Sequence, residues 1–211
     1  MFRRFAALLV SCLASLNAVA TDYNGFQIDE HLLDAGQHAA FSGAASASVI
    51  DQLKIVESVG LPPAVLEGLK KTKINVDPDL RGQPGIFAVR NGEGAVWIRP
   101  IVFPSNKPIL LHELLHAYHY NVLTMRNREV QGAYERAKNG GLFPAAWQAS
   151  HFLENPKEYF AVTGTLYLFG DIQQPPFHCT ELAKLGADYL AFLAAQFGPH
   201  ECHGGAAQGQ Q

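Results

Sequence analysis

Long apolar runs are nearly absent from this chain. Beyond the first twenty of its 211 residues no stretch is apolar for long enough to cross a bilayer, so no transmembrane segment is expected in the mature protein. Clusters of basic charge are missing too, with 16 Lys and Arg against 19 Asp and Glu, which argues against a nucleic-acid partner. There is no internal repeat, and no linker separates two halves. What remains suits a single domain with a real hydrophobic core, expected to be a monomer.

Cysteine is scarce: Cys12, Cys179 and Cys202 are all there is. The first of these lies in a segment that reads as an address. Arg3 and Arg4 supply a basic start, Phe5 to Leu16 an apolar stretch, and Ala18-Val19-Ala20 a small-x-small cleavage site, so residues 1–20 read as a signal peptide cut after Ala20. An alternative takes Leu9-Val10-Ser11-Cys12 as a lipoprotein box, which leaves a very short apolar region before Cys12. Export implies a secreted or periplasmic protein. Loss of Arg3 and Arg4 leaves 14 basic against 19 acidic residues, a net charge of −5. In an oxidising compartment the two remaining cysteines, Cys179 and Cys202, most simply form one disulfide. Their neighbours His178 and His203 offer a Cys₂His₂ metal site as the competing reading.

Against this sparse background one stretch stands out, Asn106 to Asn121, which carries His112-Glu113-Leu114-Leu115-His116. In a helix, histidines four apart share a face and can hold one Zn²⁺, while the glutamate between them reaches a water on that metal. The spacing predicts a helix capped by Asn106 with Pro108 in its first turn. Leu111, Leu114 or Leu115, Tyr118 and Val122 would form its apolar flank.

Around that helix the chain reads as α+β. Thr21 to Ser48 carries no clear signal. Val49 to Val59 predicts a helix ending at Gly60, and Ala64 to Leu69 a short second one. Ile74 to Val76 reads as a strand, followed by the turn-rich Asp77 to Gly85. Ile86 to Arg90 and Ala95 to Ile98 read as a hairpin around Asn91-Gly92-Glu93-Gly94, with Ile101 to Phe103 extending its second strand. An open sheet edge beside a metal would suit an extended peptide.

Downstream, Arg128 to Lys138 predicts a polar helix, and Pro144 to Phe152 a further segment anchored by Trp147. Asn155-Pro156 starts a helix that runs towards Phe169, and Thr180 to Phe197 forms the last one. The tail from Gly204 to Gln211 has nothing to bury and is expected to be disordered. The domain proper is therefore residues 21–203.

A catalytic zinc takes three protein ligands and keeps one position open. Two come from the histidine pair. For the third, the sequence offers Glu135, nineteen residues after His116, or Glu158 in Asn155-Pro156-Lys157-Glu158-Tyr159-Phe160-Ala161.

HELLHAYH followed some forty residues later by NPKEYFA resembles the compact zinc peptidases grouped with anthrax-toxin lethal factor and the Pro-Pro endopeptidases. The resemblance covers about Ile98 to Gly170. It implies a zincin-like domain of gluzincin type, a small sheet packed on the active-site helix with a mostly helical C-terminal half. Glu158 would be the third zinc ligand, Glu113 the general base and a peptide or protein the substrate. The chain departs from the family at Val162, where a second glutamate is frequent, and at His151, where relatives commonly place a tyrosine that donates to the oxyanion. His151 can make the same hydrogen bond through an N–H, with Tyr134 or Tyr159 as the other candidates. The metzincin pattern does not fit, because His119 stands where its glycine belongs and Val122 where its third histidine belongs. His119 therefore reads as a surface or hydrogen-bonded core histidine.

The reading is an exported zinc endopeptidase with His112, His116 and Glu158 on the metal and Glu113 and His151 in catalysis. Its rival is a zinc-binding protein that keeps the fold without activity.

Overall fold

The computed structural model describes residues 20–33 and 42–202; the signal peptide of the sequence reading, except Ala20, and its C-terminal tail lie outside them. The chain is α+β. Its five strands are β1 (Ala20–Tyr23), β2 (Phe26–Asp29), β3 (Lys73–Val76), β4 (Gly85–Arg90) and β5 (Glu93–Ile98), in the spatial order β1-β2-β3-β5-β4. The two outer pairs are antiparallel, whereas β3 runs parallel to both β2 and β5. One edge of the sheet is therefore β4.

Both outer pairs are two-residue hairpins, and both turn on the dipeptide Asn-Gly. Asn91 and Gly92 have φ of 53° and 83°, and Asn24 and Gly25 have 50° and 90°, the left-handed pair that matches strand twist. The hairpin at Asn91 closes on the Arg90↔Glu93 pair, a tighter turn than the four residues read from sequence. The β1–β2 hairpin falls in a segment without a clear sequence signal, although its Asn24-Gly25 carries the same cue as Asn91-Gly92.

The core of the sheet comes from in-register apolar residues. Ile28 pairs with Ile74, Ile74 with Val96 and Val76 with Ile98, and all are buried. The helices are α1 (Ser42–Ser58), α2 (Pro63–Lys70), α3 (Ile109–Tyr118), α4 (Arg128–Asn139), α5 (Pro156–Phe169) and α6 (Ala187–Phe197), of which α3 packs against the sheet. The helix carrying the HExxH motif, α3, touches β4 and β5 on one side, α1 and α2 on another, and α5 on a third. Leu110, Leu111, Leu114, Leu115 and Ala117 are all buried, so the helix is apolar around most of its circumference rather than along one flank.

Several boundaries differ from the sequence reading for tertiary reasons. Helix α3 starts at Ile109, and its first amides are not capped by Asn106. Instead the Leu110 N–H donates to Oε1 of Gln52 in α1 at 3.1 Å, and Asn106 accepts a bond from Gln173 at 2.7 Å. After Tyr118 the helix widens into a π-turn over His119–Leu123, which shifts the following positions, and Val122 is left 57% exposed instead of packed in the core. Ile101 to Phe103 does not extend β5; Ile101 and Val102 are exposed. The segment from Pro144 onward forms two short 3₁₀ turns, Ala145–Trp147 and His151–Leu153. The last predicted helix is split at Gly186, φ 89°, into a 3₁₀ segment, Cys179–Leu185, and α6. Cys179 and Cys202 form the expected disulfide, Cα to Cα 5.6 Å.

Candidate metal centre

Two helices bring the site together. On α3, His112 and His116 lie one turn apart and present Nε2 atoms 3.2 Å from each other. On α5, the Asn155 side chain accepts from the Lys157 and Glu158 amides at 3.0 and 3.1 Å, and Pro156 fills the first helical position. That local cap sets Glu158 in the first turn, facing α3. The two helices approach closely because Gly164 has no side chain: a Cβ there would lie 3.2 Å from Leu115 Cδ1.

Glu158 Oε2 stands 3.0 Å from His116 Nε2 and 3.3 Å from His112 Nε2. The three donor atoms thus form a triangle with edges of 3.0 to 3.3 Å. A tetrahedral ion bonded at about 2.0–2.1 Å would hold its donors roughly 3.3–3.4 Å apart, so the set fits one small cation. Two imidazoles and a carboxylate are also a donor chemistry suited to zinc. Among the described residues this is the one His/Cys/Asp/Glu group whose ligand atoms converge in this way. Glu135 is exposed on α4 and does not join it.

Charge reinforces the arrangement. Burial would raise the Glu158 carboxyl, but hydrogen bonds from His112, His116 and His151 outweigh it and hold the group far below the ordinary carboxylate range. Glu113 is the opposite case: burial pushes its carboxyl up, against the nearby His112 and a hydrogen bond from the Phe87 amide. That bond runs from the main-chain N–H of β4 to Glu113 Oε2 at 2.7 Å.

His151 enters the same cleft from the 3₁₀ turn before α5. Its Nε2 lies 2.9 Å from Glu158 Oε2 and its Nδ1 3.1 Å from Glu154 Oε2. Hydrogen bonding to Glu158, partly offset by burial, raises its pKa above the ordinary imidazole value. The two tyrosines weighed against it are engaged elsewhere. Tyr134 Oη donates to the Leu153 and Glu154 carbonyls, and Tyr159 is fully buried with its hydroxyl lacking a hydrogen-bond partner. His119 is neither a surface residue nor a hydrogen-bonded core histidine: it is wholly buried against Phe160, and neither ring nitrogen has a partner. Val162 is fully buried in α5, an apolar core position.

His112, Glu113, His116, His151 and Glu158 line a cleft of about 670 Å³ whose walls include Gly85, Ile86 and Phe87 of β4, Lys107, Met125, and Ile172 to Gln174 beyond α5. The part played by Gly85 and the Phe87 amide was not readable from sequence, since a main-chain contact between residues 26 apart leaves no motif. No helix among the described residues is long and apolar enough to cross a membrane.

No protein-family model and no curated protein matches the chain. Among solved structures, it is similar to the PRO-PRO endopeptidase of Paenibacillus alvei, at 17% identity over 81% of this chain and 97% of that one, with a TM-score of 0.46.

Proposed function

We propose that this chain is an exported zinc-dependent endopeptidase. The observation that carries the reading is the convergence of His112, His116 and Glu158 on one point beside the buried carboxylate of Glu113, at the floor of an open cleft. An edge strand, β4, forms one wall of that cleft and offers main-chain groups to an extended peptide. The Cys179–Cys202 bridge accords with export to an oxidising compartment.

On this reading His112, His116 and Glu158 hold the metal. Zinc bound there would polarise the scissile carbonyl and make a water acidic enough to attack at neutral pH. Glu113 takes the proton of that water and returns it to the leaving amine. With Oε2 engaged by Phe87, the proton passes through Oε1. His151 donates an imidazole N–H to the carbonyl oxygen as it becomes negative, exchanging its contact with Glu158 for one to the substrate.

A peptide-library digest with and without a chelator tests the reading, run beside Glu113→Gln. The parent should cleave, the chelator should stop it, and the variant should keep its zinc while losing about 10²-fold or more in kcat. A zinc-loaded parent that cleaves nothing in the library, or a variant as fast as the parent, would overturn it.

A further inference from the structure

The edge strand does more than wall the cleft. In the β4–β5 ladder Arg90 closes the two-residue turn opposite Glu93, so by antiparallel alternation Ala88 and Ile86 direct their amides at β5 while Val89, Phe87 and Gly85 direct theirs at the open edge. One of these outward amides, Phe87 N–H, is spent on Glu113 Oε2 at 2.7 Å. The side chain of the same residue is packed on both sides. The Phe87 ring lies over Gly94 of β5, where a Cβ would come within 2.6 and 2.8 Å of ring carbons, and its other side meets Tyr120 with centroids 5.9 Å apart.

Two residues earlier on the same face of β4, Gly85 leaves room for the Glu113 side chain itself. A Cβ at Gly85 would stand 2.8 Å from Ile109 Cγ2, 3.1 Å from Glu113 Cγ and 3.4 Å from Glu113 Oε1. The methyl of a β-branched residue on a buried helix has little room to withdraw. Any side chain at Gly85 therefore pushes β4 off α3 or turns the carboxylate.

We propose that the Phe87 main-chain N–H and the bare Cα of Gly85 are positioning elements for Glu113, a socket in the sheet edge that holds Oε2 and leaves Oε1 facing the cleft. The inference rests on the peptidase reading and deepens it. A carboxylate on a flexible stem would otherwise sample several rotamers, and fixing the one that points at the attacking water raises kcat without tightening substrate binding. The same bond withdraws one edge donor from a peptide that pairs along β4, leaving the Phe87 carbonyl as the group on offer there.

The amide can be removed on its own by difference. Phe87→Ala deletes the ring and keeps the N–H; Phe87→Pro deletes both, at an edge position whose N–H does not serve the ladder and where proline is tolerated. The expected result is a kcat for Phe87→Pro about 10-fold or more below that of Phe87→Ala, with KM and zinc content equal in the two. Gly85→Ala should lose kcat in the same pattern. Equal kcat in the two Phe87 variants overturns the inference.

Amide exchange gives a readout that needs no substrate. The Phe87 N–H of the parent should be protected from exchange, the Val89 N–H on the same edge should not, and Glu113→Ala should release the former. An unprotected Phe87 amide in the parent overturns the socket even if peptides are cleaved. A protected amide in a parent that cleaves nothing overturns instead the peptidase reading, and reduces the bond to a structural contact.

Discussion

Gln52 caps α3 from another element: its Oε1 accepts the Leu110 N–H at 3.1 Å and its Nε2 donates to the Lys107 carbonyl at 3.3 Å. Gln52 is 3% exposed, and its bond to Leu110 is buried while the one to Lys107 is partly so. This links α1 to the first turn of α3, on which His112 sits. Gln52→Leu removes both bonds and leaves the buried Leu110 amide without a partner, while the Lys107 carbonyl keeps the Ile109 N–H at 2.9 Å. It should cost about 2 kcal/mol, measured by urea unfolding of the metal-free protein, and weaken zinc binding by misplacing the start of α3. A loss below about 0.5 kcal/mol would show that water or another group satisfies the helix start.

The disulfide staples the far end of the chain. It joins the 3₁₀ segment after α5 to the residues beyond α6, where Tyr167 Oη donates to the Gly198 carbonyl and accepts the His200 amide. Closing a loop with a sequence separation of 23 restricts the unfolded chain by about 3 kcal/mol. Replacing both cysteines by serine should lower unfolding free energy by about that amount and leave zinc affinity unchanged, since the bridge touches none of the ligands. Mass spectrometry showing two free thiols in protein purified without reductant would remove the bridge altogether.

The parts of this fold written in short-range chemistry were legible in the sequence. Asn155-Pro156 predicts the start of α5 because cap and first turn are neighbours, and Asn91-Gly92 predicts the hairpin because both residues must adopt positive φ. His112, Glu113 and His116 announce themselves by spacing alone. What the sequence concealed depends on contacts between distant residues. The true cap of α3 is 58 positions away from the amide it accepts, the π-turn that exposes Val122 has no local signature, and the Phe87 amide reaches Glu113 only because β4 is an edge strand. The β1–β2 hairpin is a different case. Its Asn24-Gly25 cue was present, but strands of four residues are too short for alternation to show.

The choice of Glu158 over Glu135 is checked by metal affinity. Glu158→Gln should weaken zinc binding by about 10²-fold or more, because an amide oxygen replaces an anionic ligand between two imidazoles. Glu135→Gln should bind as the parent does, its side chain being exposed and apart from the site. Competition titration against a chromogenic chelator measures both, and the reverse pattern would reassign the ligand.

His151 stands between two functions that different observables separate. If it serves the oxyanion, His151→Phe lowers kcat by about 10²-fold while zinc affinity and KM stay near the parent's values. If its bond to Glu158 chiefly orients that ligand, the zinc affinity falls instead. The first pattern is the one expected, since Glu158 is already held by the Asn155 cap and by both α3 histidines.

The buried His119 makes stability depend on pH. Burial, with smaller contributions from His116 and Lys157, depresses its pKa to about 4 from an ordinary imidazole value of 6.5. The sign follows from proton counting. Between pH 6.5 and 4 the unfolded chain takes up a proton at this histidine and the folded chain does not, so folding is opposed progressively as pH falls through that window. Above pH 6.5 both states are neutral and the effect vanishes. A separation of this size is worth about 3 kcal/mol when fully expressed, a large share of a domain stability of about 5–15 kcal/mol. His119→Leu removes the titrating group and the two buried nitrogens that lack hydrogen-bond partners. Zinc release would add its own pH dependence, so the comparison is made between parent and variant with chelator present, where everything the two share cancels. The stability advantage of the variant should grow by about 3 kcal/mol as pH is lowered from 7 towards 4, read from urea midpoints at fixed m. Parallel pH profiles would mean that the folded chain accommodates a proton at His119, through rearrangement of the π-turn that carries it.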